Sequence, residues 1–170
     1  YSVYEDKIYW MVGSITELSR KQIELLEDNY KKKKKKVNSV NLLNNNRQKE
    51  IENVICNLKE KFENKYKVIG IISSRSKDDI LDIKETTKKY DMTKDEISYK
   101  LNSGLGEISK TILKDKINMI KGIYVSGGDS TEELMKSIEA FGFNIIKELF
   151  PLAVYGKIIG GKFDNTSIVT

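Results

Sequence analysis

The sequence predicts an α/β fold, in which a mostly parallel sheet carries helices on both faces in a three-layer sandwich. Two observations support this prediction. Short apolar runs that end in turn residues alternate along the chain with longer segments whose apolar residues recur at helical spacing. The chain also has 170 residues and no internal repeat, which suits one domain with its own core. We therefore assign residues 1–170 to a single domain.

Continuous apolar runs predict the central strands, because a strand that is buried on both faces needs no polar side. These runs cover residues 8–13, 68–74 and 122–126. Weaker strand patterns cover residues 37–43, 143–146 and 167–170. The pattern at 37–43 is the most polar of them and predicts a strand near an edge of the sheet.

Apolar residues at helical spacing predict the helices between these strands. The clearest set is Ile51, Val54, Ile55, Leu58 and Phe62. A second long helix is predicted to begin after Thr93 and to contain Gly104 and Gly106. Each of these glycines costs about 1 kcal/mol in helix propensity, which predicts close packing against a neighbour. Further helices are predicted after Ser14 or Thr16 and after the motif at 127–130, and a loop with a short helix at 75–92.

The composition excludes several kinds of catalytic site within this chain. There is no histidine, which excludes Ser-His-Asp catalysis, Cys-His catalysis and zinc sites that contain histidine. Cys56 is the single cysteine, so no disulfide can form within the chain. We expect it to be a buried, inert thiol on the apolar face of its helix. This cysteine usage predicts a reducing, cytoplasmic location.

The basic charge is concentrated in one segment, Lys31–Lys36, within a chain of net charge +5. These six lysines are not interleaved with aromatic residues or arginines, so we predict a solvated loop. The alternative is that the chain is a polyanion-binding α/β module that uses the Lys31–Lys36 run, with strongly salt-dependent binding. We expect neither a nucleic acid nor a membrane as the partner, and no apolar run is long enough to span a bilayer.

The most informative motif is Gly127-Gly128-Asp129-Ser130, which joins a predicted strand to an amphipathic helix. A helix that begins in this way leaves backbone N–H groups unpaired at the positive end of its dipole, and these suit phosphate. Glycine allows a positive φ and a close approach of a ligand to the main chain. Asp129 and Ser130 are also good N-cap residues, so helix capping alone remains an alternative interpretation.

Two further glycine turns lie at predicted strand ends, Gly13-Ser14-Ile15-Thr16 and Gly160-Gly161. The first precedes a helix, as the motif at 127–130 does. Because ligands of parallel sheets bind at the carboxyl ends of the strands, we expect these two turns to converge on one ligand. Helix capping by Ser14 and Thr16, and an ordinary turn at Gly160-Gly161, are the alternative interpretations.

These turns, in this order, resemble the C-terminal nucleotide-binding domain of the four-carbon acid sugar kinase family. In that family a strand runs into a Gly-Ser turn followed by Thr and Gln, as in Met11–Thr16 with Gln22 here. A later strand runs into Gly-Gly-Asp/Glu-Thr, which is similar to Gly127–Ser130. A Gly-Gly pair then precedes the last strand, as Gly160-Gly161 does. This chain departs from the pattern at Ser130, where threonine is usual, and it ends before the Lys-Gly-Gly-type turn of the family.

The resemblance implies one half of a two-domain enzyme that uses ATP to phosphorylate a four-carbon sugar acid, such as erythronate, threonate or a 3-oxo-tetronate. The N-terminal domain of such enzymes binds the sugar acid and holds the general base. The chain starts at Tyr1 rather than Met and stops inside an apolar run, so we expect an excised segment that lacks this substrate domain. No catalytic residue is therefore assigned, and we expect the segment alone to be inactive.

The resemblance and the glycine turns together assign the contacts to ATP. The residues assigned are Gly13, Ser14, Thr16, Gly127, Gly128, Asp129, Ser130, Gly160 and Gly161. Phosphate would repel the Asp129 carboxylate unless Mg²⁺ or water lies between them, so this side chain suits capping or metal organisation. No residue is assigned as a metal ligand. A third interpretation is a different nucleotide-binding α/β enzyme, but the turn at Gly13 lacks the GxGxxG spacing of dinucleotide sites.

Overall fold

The structure is a computed structural model that describes residues 6–13, 32–63, 66–73 and 82–170. The strands in these ranges are β1 (Lys7–Val12), β2 (Lys32–Lys36), β3 (Val68–Ile72), β4 (Ile120–Ser126), β5 (Gly142–Phe150), β6 (Ala153–Ile159) and β7 (Ser167–Val169). The α-helices are α1 (Ser39–Leu43), α2 (Arg47–Phe62), α3 (Ile83–Tyr90), α4 (Lys94–Asp115) and α5 (Gly128–Ser137). No helix in these ranges has both the length and the apolar character required to cross a membrane.

The strands form one mixed sheet in the order β2-β3-β1-β4-β7-β6-β5. The first five strands in this order are parallel, and β6 and β5 extend the sheet by antiparallel pairing. The predicted α/β class with a mostly parallel sheet is confirmed. Strands β2 and β3 lie on one side of β1, whereas β4 and β7 lie on the other. The strand order therefore reverses between β1 and β4, where open α/β sheets bind their ligands.

Helices α2, α4 and α5 pack on the sheet face that carries Tyr9 and Met11, and together they form the main core. The buried Tyr9 hydroxyl hydrogen-bonds to Ser109 Oγ of α4 at 2.8 Å, and its burial raises the pKa of the phenol. Trp10 and Val12 lie on the opposite face. The helix predicted after Ser14 or Thr16 falls outside the described residues, so the three-layer arrangement remains a prediction.

The two glycines of α4 pack closely, as predicted. A Cβ added at Gly104 would lie 3.0 Å from Leu42 Cδ1, and one added at Gly106 would lie 2.5 Å from Ser137 Oγ. Glycine at these positions therefore lets α4 approach α1 and α5.

Two predictions around the lysine run are wrong. Lys32–Lys36 form the strand β2, which pairs in parallel with β3, instead of a solvated loop. Pairing with a buried neighbour overrides the low strand propensity of lysine, and lysine suits the edge of a sheet. The strand predicted at 37–43 contains the helix α1, which begins because the Asn38 side chain accepts a hydrogen bond from the Asn41 N–H at 3.2 Å.

Cys56 is exposed rather than buried, which corrects another prediction. Val54 and Leu58 of the same helix point into the core. Cys56 is two residues from each of them, about 200° around a helix that turns about 100° per residue.

The β5–β6 hairpin leaves apolar side chains in solvent at one edge of the sheet. Strand β5 pairs with β6, and the sheet order places it at the end. Its exposed apolar residues, with one from the hairpin turn, are Ile145, Ile146, Leu149, Phe150 and Leu152. The edge opposite β2 is therefore apolar.

The long helix α4 begins after Thr93, as the sequence predicted, and a capping box forms at its start. The Glu96 N–H donates to Thr93 Oγ1 at 3.2 Å, and Glu96 Oε2 accepts from the Thr93 N–H at 2.7 Å. The hydrogen bonds that Glu96 Oε2 accepts from the Thr93 N–H and, at 2.9 Å, from the Thr93 hydroxyl hold the pKa of Glu96 below its usual value.

We expect Thr93→Ala to destabilise the protein by about 1 kcal/mol, because it leaves a helix N–H without its acceptor. Thr111→Ala is the matched control, since Thr111 lies inside the same helix and alanine favours a helix interior. Urea unfolding of both variants measures the difference, and equal losses would contradict the prediction. Because the folded pKa of Glu96 is lowered, its contribution is present above pH 4.5 and disappears as the pH falls through the folded pKa.

Candidate functional site

The carboxyl ends of β1 and β4 lie side by side at the point where the strand order reverses. Val12 is the register partner of Ser126, so Gly13 lies next to Gly127 at the carboxyl ends of β1 and β4. A Cβ added at Gly13 would overlap Ser130 Oγ and would lie 2.8 Å from Asn102 Oδ1. Gly13 and the motif at 127–130 are thus adjacent, and their convergence on one ligand remains a prediction. Ser14 and Thr16 lie outside the described residues.

The N-terminus of α5 is open to solvent. Gly127 is the N-cap residue with a φ of 104°, a conformation that favours glycine. The Thr131 N–H donates to Gly127 O at 2.9 Å, so the N–H groups of residues 128–130 precede the first helical hydrogen bond. Among the described residues no side chain caps them. These three N–H groups form the anion-binding end of the helix.

Gly128 adjoins empty space. A Cβ added there would meet no heavy atom of the described residues within 4 Å, and the residue is exposed. Cavities of about 210 and 550 Å³ flank this end of α5 and are lined by Asp129 and Gly128 respectively. The packing of the described residues therefore does not require glycine at this position, unlike at Gly13.

The side chains of Asp129 and Ser130 point to α4 rather than to their own helix. Ser130 is 2% exposed, and its Oγ donates to Asn102 Oδ1 at 2.7 Å. Asn102 Nδ2 donates to the Ser98 carbonyl oxygen at 3.1 Å and to Ser98 Oγ at 3.3 Å. Ser98 Oγ in turn donates to Asp129 Oδ2 at 3.1 Å. One chain of hydrogen bonds thus joins Ser130, Asn102, Ser98 and Asp129.

Sequence reasoning missed Ser98 and Asn102. Both are polar, lie one helical turn apart and fall within a helix predicted only from its apolar residues. That spacing places them on one face of α4, but the sequence alone does not show which turn this face meets.

The end of β7 also reaches this site. Thr131 Oγ1 donates to Gly127 O at 2.9 Å and lies 2.9 Å from Thr170 Oγ1. Because Thr131 has a single hydroxyl proton, Thr170 donates in the second hydrogen bond when both form together. The ends of β1, β4 and β7 are therefore adjacent.

The Gly160-Gly161 turn lies elsewhere. Strand β6 is antiparallel to β7, so the turn after β6 lies near the amino end of β7. Gly128 lies near the carboxyl ends of β4 and β7, at the opposite end of the parallel strands. Both glycines have positive φ, and a Cβ at Gly161 would lie 2.8 Å from the carbonyl oxygens of Ile138 and Glu139. The structure thus gives this pair a packing role, and its predicted contact with a nucleotide remains untested.

Candidate metal ligands are few at this site. Among the described residues, no group of three or more Asp, Glu or Cys side chains is arranged to hold a metal ion. Asp129 is the carboxylate next to the open N–H groups. A divalent cation here would take most of its ligands from phosphate oxygens and water, as Mg²⁺ commonly does.

The comparisons with known proteins agree on the kind of domain. A family model described as a nucleotide-binding C-terminal domain matches residues 10–170. A D-erythronate kinase of Heliobacterium modesticaldum is 30% identical over 165 residues, which are 96% of this chain and 37% of that protein. The chain thus spans little more than a third of this relative.

Solved structures show the same fold. A protein of unknown function from Bordetella bronchiseptica, solved as a domain-swapped dimer with bound citrate, has a TM-score of 0.63 and 14% identity, over 98% of this chain and 36% of that one. A putative tRNA synthase from Salmonella typhimurium has a TM-score of 0.70 and 13% identity, over 97% and 37%. At these identities the likeness extends to the fold alone.

Proposed function

This chain belongs to the family of nucleotide-binding C-terminal domains of four-carbon acid sugar kinases, and from that premise we propose that it binds ATP with Mg²⁺ for the phosphorylation of a four-carbon sugar acid. The D-erythronate kinase relative supports an acid of the erythronate or threonate type. The sugar acid and the general base would belong to an N-terminal domain that precedes this one. In this proposal the domain alone transfers no phosphate.

One observation carries the proposal: Gly128 opens the N-terminus of α5 to ligand at the point where the strand order reverses. The N–H groups of residues 128–130 point out of the helix, and the helix dipole adds positive potential. Phosphoryl transfer requires chiefly that the polyphosphate be held in line with the acceptor and that its charge be neutralised. A rigid row of backbone donors on a buried sheet meets the first requirement.

The residues of the two glycine turns have different roles in this proposed phosphate site. Gly127 and Gly128 let the phosphates approach the main chain, while Gly13 makes room for the hydrogen-bonded side chains beneath them. Asp129 is held towards α4 by Ser98, so its carboxylate would act on the phosphates only through Mg²⁺ or water. Ser130 would contribute its N–H, since its hydroxyl already donates to Asn102.

The test uses the full-length protein with Mg-ATP and a panel of D-erythronate, L-erythronate, D-threonate, L-threonate and 3-oxo-tetronate. We expect ADP release and a phosphorylated product with at least one of these acids, and none when EDTA removes Mg²⁺. A folded protein that binds no ATP and releases no ADP with any acid would overturn the proposal. The domain expressed alone is the matched control, with ATP binding but no product as the expected result.

A further inference from the structure

We propose that Asn102 is a positioning residue for the nucleotide site, holding the Ser130 and Asp129 side chains against α4 so that the N–H groups of α5 stay open to phosphate. This inference rests on the proposed function. It goes further by assigning a role to a residue on a helix outside the glycine turns.

The Ser130 and Asp129 side chains could compete with phosphate for these N–H groups. Serine and aspartate side chains near a helix N-terminus readily accept hydrogen bonds from nearby backbone N–H groups. In α5 neither does so: the Ser130 hydroxyl donates to Asn102 Oδ1, and Asp129 Oδ2 accepts from Ser98 Oγ. The backbone donors are therefore left for a ligand.

The negative charge of Asp129 is the second obstacle to a phosphate at these N–H groups. A carboxylate beside a phosphate repels it unless a cation intervenes. The hydrogen bond from Ser98 draws this carboxylate towards α4, and Asn102 orients Ser98 through its amide group at 3.1 and 3.3 Å. Asn102 thus acts on Asp129 through Ser98.

Position 102 requires the amide group of asparagine to hold both side chains. Asn102 accepts one hydrogen bond through Oδ1 and donates through Nδ2. An aspartate would keep the acceptor but lose the donor and add a negative charge, and an alanine would lose both. Gly13 completes the arrangement, since any Cβ there would collide with Ser130 Oγ.

The experiment is a double-mutant cycle on Mg-ATP binding to the full-length protein, measured by calorimetry. We expect Asn102→Ala to raise the Kd about tenfold, the effect of losing a hydrogen bond that orients a charged group. In an Asp129→Asn background, where there is no charge to hold aside, the same substitution should raise the Kd less than about threefold. Asn102→Asp should bind more weakly than Asn102→Ala at neutral pH.

The controls separate this role from a purely structural one. Asn57→Ala removes a half-buried asparagine that bonds its own helix, and it should leave the Kd unchanged. Thermal unfolding of each variant identifies those that are not folded, and such a variant is replaced by Ser98→Ala, which should also weaken binding. Equal effects of Asn102→Ala in both backgrounds would overturn the inference while ATP binding by the wild type still supports the proposed function. A wild type that binds no ATP would overturn both.

Discussion

Replacing Gly128 by valine is expected to weaken Mg-ATP binding about a hundredfold while leaving the protein as stable as the wild type. The added Cβ meets no atom of the described residues within 4 Å, and the rest of the side chain extends in front of the N–H groups of α5. Loss of two hydrogen bonds to a charged phosphate, at about 1.5 kcal/mol each, corresponds to a factor of this size. Calorimetry of the full-length protein with Mg-ATP measures it.

Gly122→Ala is the matched control for this variant. It lies on the same strand-helix unit, near the other end of β4, and its added Cβ would have no neighbour closer than 3.9 Å. We expect unchanged ATP binding in this control. If Gly128→Val binds Mg-ATP as tightly as the wild type, the N-terminus of α5 is not the phosphate site.

Replacing Gly13 by alanine should have the opposite pattern, with a large loss of stability. Its Cβ would overlap Ser130 Oγ and approach Asn102 Oδ1, so that either the two side chains or the strand end must move. Overpacking of this kind costs about 1–3 kcal/mol, and breaking the buried Ser130–Asn102 hydrogen bond adds about 1 kcal/mol.

Urea unfolding measures the free-energy change caused by Gly13→Ala and thermal unfolding measures its melting temperature, again with Gly122→Ala as the control. For a domain of this size the combined loss should lower the melting temperature by roughly 6–12 °C. A change below about 0.5 kcal/mol would show that the packing at the end of β1 is looser than the structure indicates.

The central part of the fold could be predicted from the sequence because its signals are strong and local. The apolar runs at 8–13, 68–74 and 122–126 each cover most or all of a strand, and the pattern from Ile51 to Phe62 coincides with most of α2. The cap of α4 at Thr93 was also predicted, since threonine is a common N-cap residue, whereas the capping box with Glu96 was not predicted.

The errors occurred where tertiary contacts decide the outcome. Lysine has little tendency to form strands, yet Lys32–Lys36 pair with a buried strand. The apolar residues after Val37 suit either a strand or a helix, and the Asn38 side chain selects the helix. Short segments of this kind carry too few residues for their periodicity to discriminate.

The candidate site could be predicted only in part. The sequence identified the glycines, because a strand that turns into a helix through Gly-Gly is a local signal. It could not identify Asn102, whose role depends on the packing of α4 against α5, nor place Gly160-Gly161 at the opposite end of the parallel strands. That placement follows from the antiparallel direction of β6, which the sequence did not reveal.

The two outer strands of the sheet, β2 and β5, differ in how readily they pair with strands of other molecules. Strand β2 consists of lysines, a residue type that discourages pairing with a further strand. Strand β5 ends the sheet formed by the described strands and carries solvent-exposed isoleucine, leucine and phenylalanine, and an apolar edge of this kind favours aggregation. A preparation of residues 1–170 alone will therefore self-associate from the hairpin side, and charged substitutions at Ile145 or Leu152 should keep it dispersed.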